Sequence, residues 1–155
     1  MVKITDEMRE IVGKTKVWAL ATVSKEGIPN VAPLGNGKVL SENEIVLTDN
    51  FMRKTIENIK TNPDKVAVSA WDNDTVQGYQ FKGTARIETS GEVFEDAVRR
   101  AKSQAKARIT LIHSPRAKAE FLSRTPYLKT KGAVVIKVKS IFITTPGPDA
   151  GKEVM

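Results

Sequence analysis

The spacing of apolar residues changes along this chain, and each change marks an element. Met8, Ile11 and Val12 fall at helical spacing behind Thr5 and Asp6, either of which can cap, and Gly13 follows; a first helix is predicted there. Residues 17–23 are then apolar almost throughout, Trp18 and Leu20 among them, which predicts a strand buried mostly on both faces. A polar turn ending in Gly27 leads into residues 28–34, where Pro29 and Pro33 cannot donate to a ladder. An edge or bulged strand with partly open backbone is predicted. Gly35, Asn36 and Gly37 turn the chain into residues 38–40, and a further polar turn precedes the aliphatic run 44–48. A short helix comes next and stops at Pro63. Val66, Val68 and Ala70 mark a strand over 66–71. From Tyr79 to Glu88 the alternation is strict, with Tyr79, Phe81, Gly83, Ala85 and Ile87 facing one way and Gln80, Lys82, Thr84 and Arg86 the other.

After Gly91 the spacing lengthens to threes and fours. Phe94, Ala97, Val98, Ala101, Ala105, Ile109 and Ile112 predict a long amphipathic helix with a basic outer face. Ser114 and Pro115 restart a second helix through Leu122, a cap followed by proline at the first helical position. Val134, Val135, Ile136 and Val138 open a last strand that runs to Ile143, and residues 144–151 read as a loop-like tail. About six short strands in hairpin succession, with helices at the periphery, predict a mainly β fold built on a small antiparallel barrel. Residues 1–155 form one domain, into which a basic helical segment at about 92–131 is inserted.

Composition removes several chemistries. The chain has no cysteine and one histidine, His113, so thiolate sites, disulfides and a Ser-His-Asp arrangement have no material. His113 is predicted to be a capping or surface residue between two helices. No apolar run approaches the roughly 20 residues of a membrane span. The beginning of the sequence goes directly into a charged helix rather than a signal-peptide pattern, and a cytoplasmic protein is expected. The net charge of +7 is concentrated: between Arg99 and Lys131 ten cations stand against one acid, Glu120. Such a segment is either a solvated helical face or a polyanion-binding surface.

The stretch with the most chemical content is 48–58. An aliphatic strand, Ile45 to Leu47, hands over to a helix start, where backbone N–H groups lack intrahelical partners. Arg53, Lys54 and Thr55 occupy that first turn. Cations at this end oppose the helix dipole, and a bound phosphate would resolve the conflict. The glycines at 147 and 151 are spaced wrongly for a phosphate-binding P-loop and lack the Ser/Thr and the following helix. Gly35 and Gly37 lack the third glycine of a dinucleotide fingerprint. With no carboxylate pair in evidence, redox or group-transfer chemistry would have to come from a bound cofactor.

In order and spacing, residues 17–22, 27–35, 46–58, 78–85 and 133–138 resemble the FMN-binding split-barrel family, the pyridoxamine 5′-phosphate oxidase-like proteins, and in particular its small FMN-binding members. The resemblance implies a six-stranded antiparallel split β-barrel of Greek-key type. It implies FMN as cofactor, with Arg53, Lys54 and Thr55 on the phosphate and Thr48, Asp49 and Asn50 bordering the ribityl chain and ring. The backbone of Val31, Ala32, Pro33 and Leu34 would meet the isoalloxazine, with Gln80 and Lys82 as further contacts. It also implies a homodimer with flavin sites at the subunit interface, the tail from Pro146 covering the partner's flavin. The oxidase that gives the family its name carries a Trp- and Arg-rich C-terminal segment; here no tryptophan follows Trp71. The expectation is therefore a flavin-dependent oxidoreductase other than the B6 oxidase, with a small-molecule or protein redox partner. A non-catalytic flavin carrier or electron-transfer protein shares the same residues. A polyanion-binding module built on 99–131 is the third reading, with nucleic acid an unlikely partner for it.

Overall fold

In a computed structural model, which describes residues 2–154, one antiparallel sheet curls around a single apolar interior. Its strands are β1 (Trp18–Val23), β2 (Pro29–Leu34), β3 (Gly37–Ser41), β4 (Glu44–Asp49), β5 (Val66–Trp71), β6 (Gly78–Glu88) and β7 (Gly132–Ile143). They lie in the order β2-β1-β5-β6-β7-β4-β3, so β2 and β3, neighbours in the chain, are the two sheet edges. The barrel is split between them. The sequence predicts six strands and the structure has seven, because the Gly35–Gly37 bend separates residues 37–41 as a strand of their own. Gly37 is needed at that bend: a Cβ there would fall 2.7 Å from the Leu47 side chain and 2.8 Å from Trp18.

The prolines of β2 read correctly. Pro29 and Pro33 lie on an edge strand whose only ladder is with β1. The alternation of β6 also holds, with Phe81, Gly83 and Ala85 buried and Lys82 and Arg86 exposed. Trp18, Leu20, Val68, Phe81, Ile136 and Ile141 fill the interior. Helix α1 (Asp6–Gly13) closes part of it with Met8, Ile11 and Val12, its start capped by Thr5 Oγ1, which accepts from Met8 N at 3.3 Å. Helix α2 (Lys54–Thr61) adds Ile59. The tail folds back on its own barrel, where Gly151 N donates to Ile143 O and Val154 N to Ile141 O.

The inserted helices α3 (Glu92–Leu111) and α4 (Pro115–Arg124) sit outside the barrel. Ala97 of α3 packs with Val46 of β4 and Ala133 and Val135 of β7 in a second, smaller apolar cluster. A polar clamp continues that contact: Asp96 accepts from Lys38 Nζ at 2.8 Å and from Arg100 Nε at 2.9 Å, and Arg100 donates in turn to Asn36 Oδ1. His113 is exposed beside Ser114, whose Oγ caps α4 by accepting from Ala117 N.

The structure predicts two stability effects. Gly83 pairs with Val138 while Lys82 pairs with Ser140, so Lys139 is the extra residue of a bulge. A Cβ on Gly83 would meet the Lys137 carbonyl oxygen at 2.0 Å. Gly83→Ala should therefore lower unfolding stability by about 3 kcal/mol, seen as an earlier denaturant midpoint; a change within error would mean that the strands separate without cost. The second concerns acid. The hydrogen bond from Lys38, followed by that from Arg100, holds the Asp96 carboxyl below its ordinary value of 3.8. A depressed folded-state value gives stability that is present above 3.8 and lost as pH falls through the folded-state value. Asp96→Asn should flatten that acid limb of the melting-temperature profile, at a neutral-pH cost of about 1 kcal/mol.

Candidate functional site

The site begins where β4 ends. Ile45, Val46 and Leu47 are wholly buried, and the strand delivers Thr48 and Asp49 to the barrel rim. There the chain bends and α2 starts. Asp49 fixes the bend: its Oδ1 accepts from Met52 N at 2.8 Å. Lys131, at the entry to β7, reinforces it from the other side. Its Nζ donates to Met52 O at 2.7 Å and lies 3.6 Å from Asp49 Oδ1, while its N–H donates to Asp49 O. Thr130 Oγ1 adds a bond to Asn50 Oδ1 at 2.9 Å. The turn is thereby held without support from its own cations.

Helix α2 starts without a cap. Thr5 and Ser114 cap α1 and α4, but Arg53 at the N-cap of α2 makes no side-chain cap bond. The N–H groups of Lys54, Thr55 and Ile56 precede the first intrahelical bond, which runs from Glu57 N to Arg53 O. Arg53 and Lys54 are exposed and form no ion pair among the described residues. Thr55 is buried; its Oγ1 accepts from Asn30 Nδ2 at 3.1 Å, which leaves its own proton to donate. Asn30 and Asn58 both reach Thr22 Oγ1, at 3.3 and 3.0 Å, tying β2 to β1 and α2.

A cavity of about 880 Å³ lies beside this turn. Ala32, Pro33, Leu34, Thr48, Asn50, Arg53, Lys54 and Thr55 line it, so the structure gathers eight residues singled out in the sequence. Four others lie elsewhere. Asp49 is buried as the turn's internal acceptor and does not reach the cavity wall. Val31 is exposed on the outer face of β2, and cross-strand registers carry its row through Ala21 and Ala67 to Lys82. Gln80 belongs to the adjacent outward row with Pro33, Ala19 and Ser69. Lys82 stacks over the Phe142 ring at 4.5 Å.

The cavity has walls that sequence reading missed. Lys14, Thr15 and Lys16 enter from the end of α1, and Asn36 from the bend before β3. Helix α3 supplies Ala101, Gln104, Ala105, Arg108 and Leu111, and Phe121 and Leu128 come from beyond it. The only sequence signal for this wall was the apolar stripe of α3, and apolar spacing is the same for a core and for a ligand cavity.

Its electrostatics are one-sided. The charged side chains on the lining are Lys14, Lys16, Arg53, Lys54 and Arg108, with no carboxylate among them. Beneath the lining, Asn36 Nδ2 and Thr48 Oγ1 are closed to solvent and have no hydrogen-bond partner among the described residues. Buried polar atoms without partners are costly, and native proteins rarely keep them without a reason. A lining with five cations and no carboxylate is complementary to anionic charge. No histidine lines it, and among the described residues no cluster of side chains suits a metal ion.

The comparisons agree with this architecture. Residues 4–145 match the family model described as pyridoxamine 5′-phosphate oxidase. An uncharacterised protein of Methanocaldococcus jannaschii, MJ0282, is 38% identical over 154 residues, covering 98% of this chain and 88% of that one. The crystal structure of Group A Streptococcus HupZ is similar with a TM-score of 0.67 and 25% identity, over 96% of this chain and 99% of that one. An FMN-binding protein from Syntrophomonas wolfei shares the fold at a TM-score of 0.65 and 17% identity, over 89% and 84% of the two chains. With a split barrel, an uncapped basic helix start at its rim and a family match over most of its length, the chain belongs to the pyridoxamine 5′-phosphate oxidase family.

Proposed function

We propose that this protein binds FMN in the cavity beside α2 and works as a flavin-dependent oxidoreductase other than the B6 oxidase. The observation that carries the reading is the uncapped start of α2, with Arg53, Lys54 and Thr55 on a cavity that no carboxylate lines. Free amides, the positive end of a helix dipole, two unpaired cations and a hydroxyl with a proton to give suit a phosphate dianion. Asn36 Nδ2 and Thr48 Oγ1 lie just beneath the lining, and a small shift of the wall on binding would bring them to acceptors of the ribityl chain or ring. The backbone of β2 from Ala32 to Leu34, on an edge strand, is open to the rest of the ring. A flavin so held supplies the redox chemistry, and the chain supplies position, charge and exclusion of water. The FMN-binding relative from Syntrophomonas wolfei supports the choice of flavin.

A homodimer belongs to this reading. The outer face of β2, β1, β5 and β6 presents small side chains, Ala19, Ala21, Ala67 and Ser69, between exposed Val31 and Lys82. A face of small side chains suits a second copy. Val31, Gln80 and Lys82, which miss the cavity of their own protomer, lie on that face. A flavin carrier or electron-transfer role is the second reading. The lining favours it in one respect, since no histidine or carboxylate is present to move a proton. The polyanion reading loses ground, because Arg100 and Lys131 are spent on docking α3 and bracing the turn.

Titration of the flavin-free protein with FMN, followed by quenching of flavin fluorescence, tests the site. The double variant Arg53→Ala with Lys54→Ala should weaken binding by about 2–4 kcal/mol, the loss of two charge-assisted contacts. Unchanged affinity would remove the proposed phosphate position. Rapid reduction of the bound flavin by NADPH or NADH would distinguish an enzyme from a carrier. Thr48→Val offers a sharper check, because the hydroxyl has no internal partner to lose. The variant should be as stable as the parent or more so, yet bind FMN about 1 kcal/mol more weakly. Destabilisation with unaltered FMN affinity would show that the hydroxyl serves the fold instead.

A further inference from the structure

The ten cations between Arg99 and Lys131 do different jobs. Arg100 clamps α3 to Asn36, Lys131 braces the turn before α2, and Arg116 pairs with Glu120. Of the ten, only Arg108 lines the cavity. It sits in the last turn of α3, a position the helix dipole favours for any cation. Its surroundings add something the dipole does not explain. The guanidinium lies over the Phe121 ring, 5.9 Å from its centroid, and no carboxylate among the described residues pairs with it. Ala101 and Ala105 occupy the same stripe of the helix, so small side chains leave room beside the cation. Leu111, Phe121 and Leu128 add apolar surface beside the cation, and Gln104, one turn earlier on α3, adds a polar side chain.

A phosphate dianion on Arg53 and Lys54 would satisfy the barrel wall and leave Arg108, on a different element, uncompensated. Arg108 is exposed, so its position over the Phe121 ring, and not burial, sets its direction. A guanidinium held on an aromatic face keeps its fork of donors directed at a carboxylate, sulfonate or phosphate. We propose that the helical insertion builds a second anion subsite, centred on Arg108, that takes a planar organic anion as co-ligand in the same cavity. The subsite would make this protein selective for negatively charged partners of the flavin. It rests on the flavin reading for what the bound anion meets, while the subsite itself can be measured with or without flavin.

Calorimetric titration with naphthalene-2-sulfonate and its neutral counterpart naphthalene-2-sulfonamide separates the two contributions, run on FMN-saturated protein and on the flavin-free chain. The sulfonate should bind the parent at least about tenfold more tightly than the sulfonamide. Arg108→Gln should abolish that preference while leaving sulfonamide and FMN affinities within about twofold of the parent. Arg108→Lys should retain part of it, since the charge stays and the fork is lost. Lys106→Gln, which removes a cation that does not line the cavity, should leave the preference intact. Equal affinities in the parent, survival of the preference in Arg108→Gln, or its equal loss in Lys106→Gln would each overturn the subsite. Failure of the parent to take up FMN would instead sink the flavin reading; a preference that depends on Arg108 in the flavin-free chain would still establish the subsite.

Discussion

A helix start without a cap, carrying two cations that form no ion pair among the described residues, is the constraint around which the rest of this molecule is arranged. The dipole of α2 puts partial positive charge where Arg53 and Lys54 already stand, and no side chain answers the first-turn amides. Left alone, such a turn would loosen. It is held from outside, by the Asp49 carboxylate that accepts from Met52 N and by Lys131 reaching across from the start of β7. Met52 is itself buried in the barrel core and anchors the bend from within. The barrel thus supplies rigidity to a local conformation that is electrostatically unfavourable on its own, as expected where binding takes precedence over stability.

Much of the fold was legible because its signals are local. Two prolines on one strand placed β2 at an edge, and strict alternation from Tyr79 onward gave the inward and outward faces of β6. Thr5 and Ser114 announced their helices. The residues from Lys38 to Leu40 were visible only as the stretch into which the Gly35–Gly37 turn leads. They pair with β4 because Gly37 lets the backbone pass close to Trp18. At the site, the resemblance sets Asp49 beside the ribityl chain and ring. In the fold its carboxylate accepts from the Met52 amide, a partner three residues on that the resemblance does not specify. Val31, Gln80 and Lys82 share the outward face of the sheet through cross-strand registers. No single segment contains that information.

The α3 wall was illegible for a different reason. Ala101 and Ala105 satisfy the same periodicity whether they press on a core or border a cavity. The alternatives differ only in what stands opposite, and that is fixed by where α3 docks. Docking depends on one charged relay, Lys38 to Asp96 to Arg100 to Asn36, and on the small apolar cluster around Ala97. Sequence reading saw these cations as one basic face. The fold divides them into a clamp, a brace, a cavity residue and a solvated remainder, which is why the net charge of the segment says little about its partners.

The relay also couples the two walls. Asn36 accepts from Arg100 with its side-chain oxygen and with its backbone oxygen from Thr48 N, while its Nδ2, closed to solvent, has no partner among the described residues. One side chain therefore ties the helical insertion to the barrel beside the cavity. A ligand acceptor that engages Nδ2 would hold the amide in the orientation that Arg100 also requires, so filling the floor and seating α3 favour each other. That reciprocity follows from linkage: whatever prefers the docked insertion is itself bound more tightly by it. The insertion is in this sense a wall of the cavity rather than an ornament on the barrel, and its distance in sequence from the α2 turn conceals the connection.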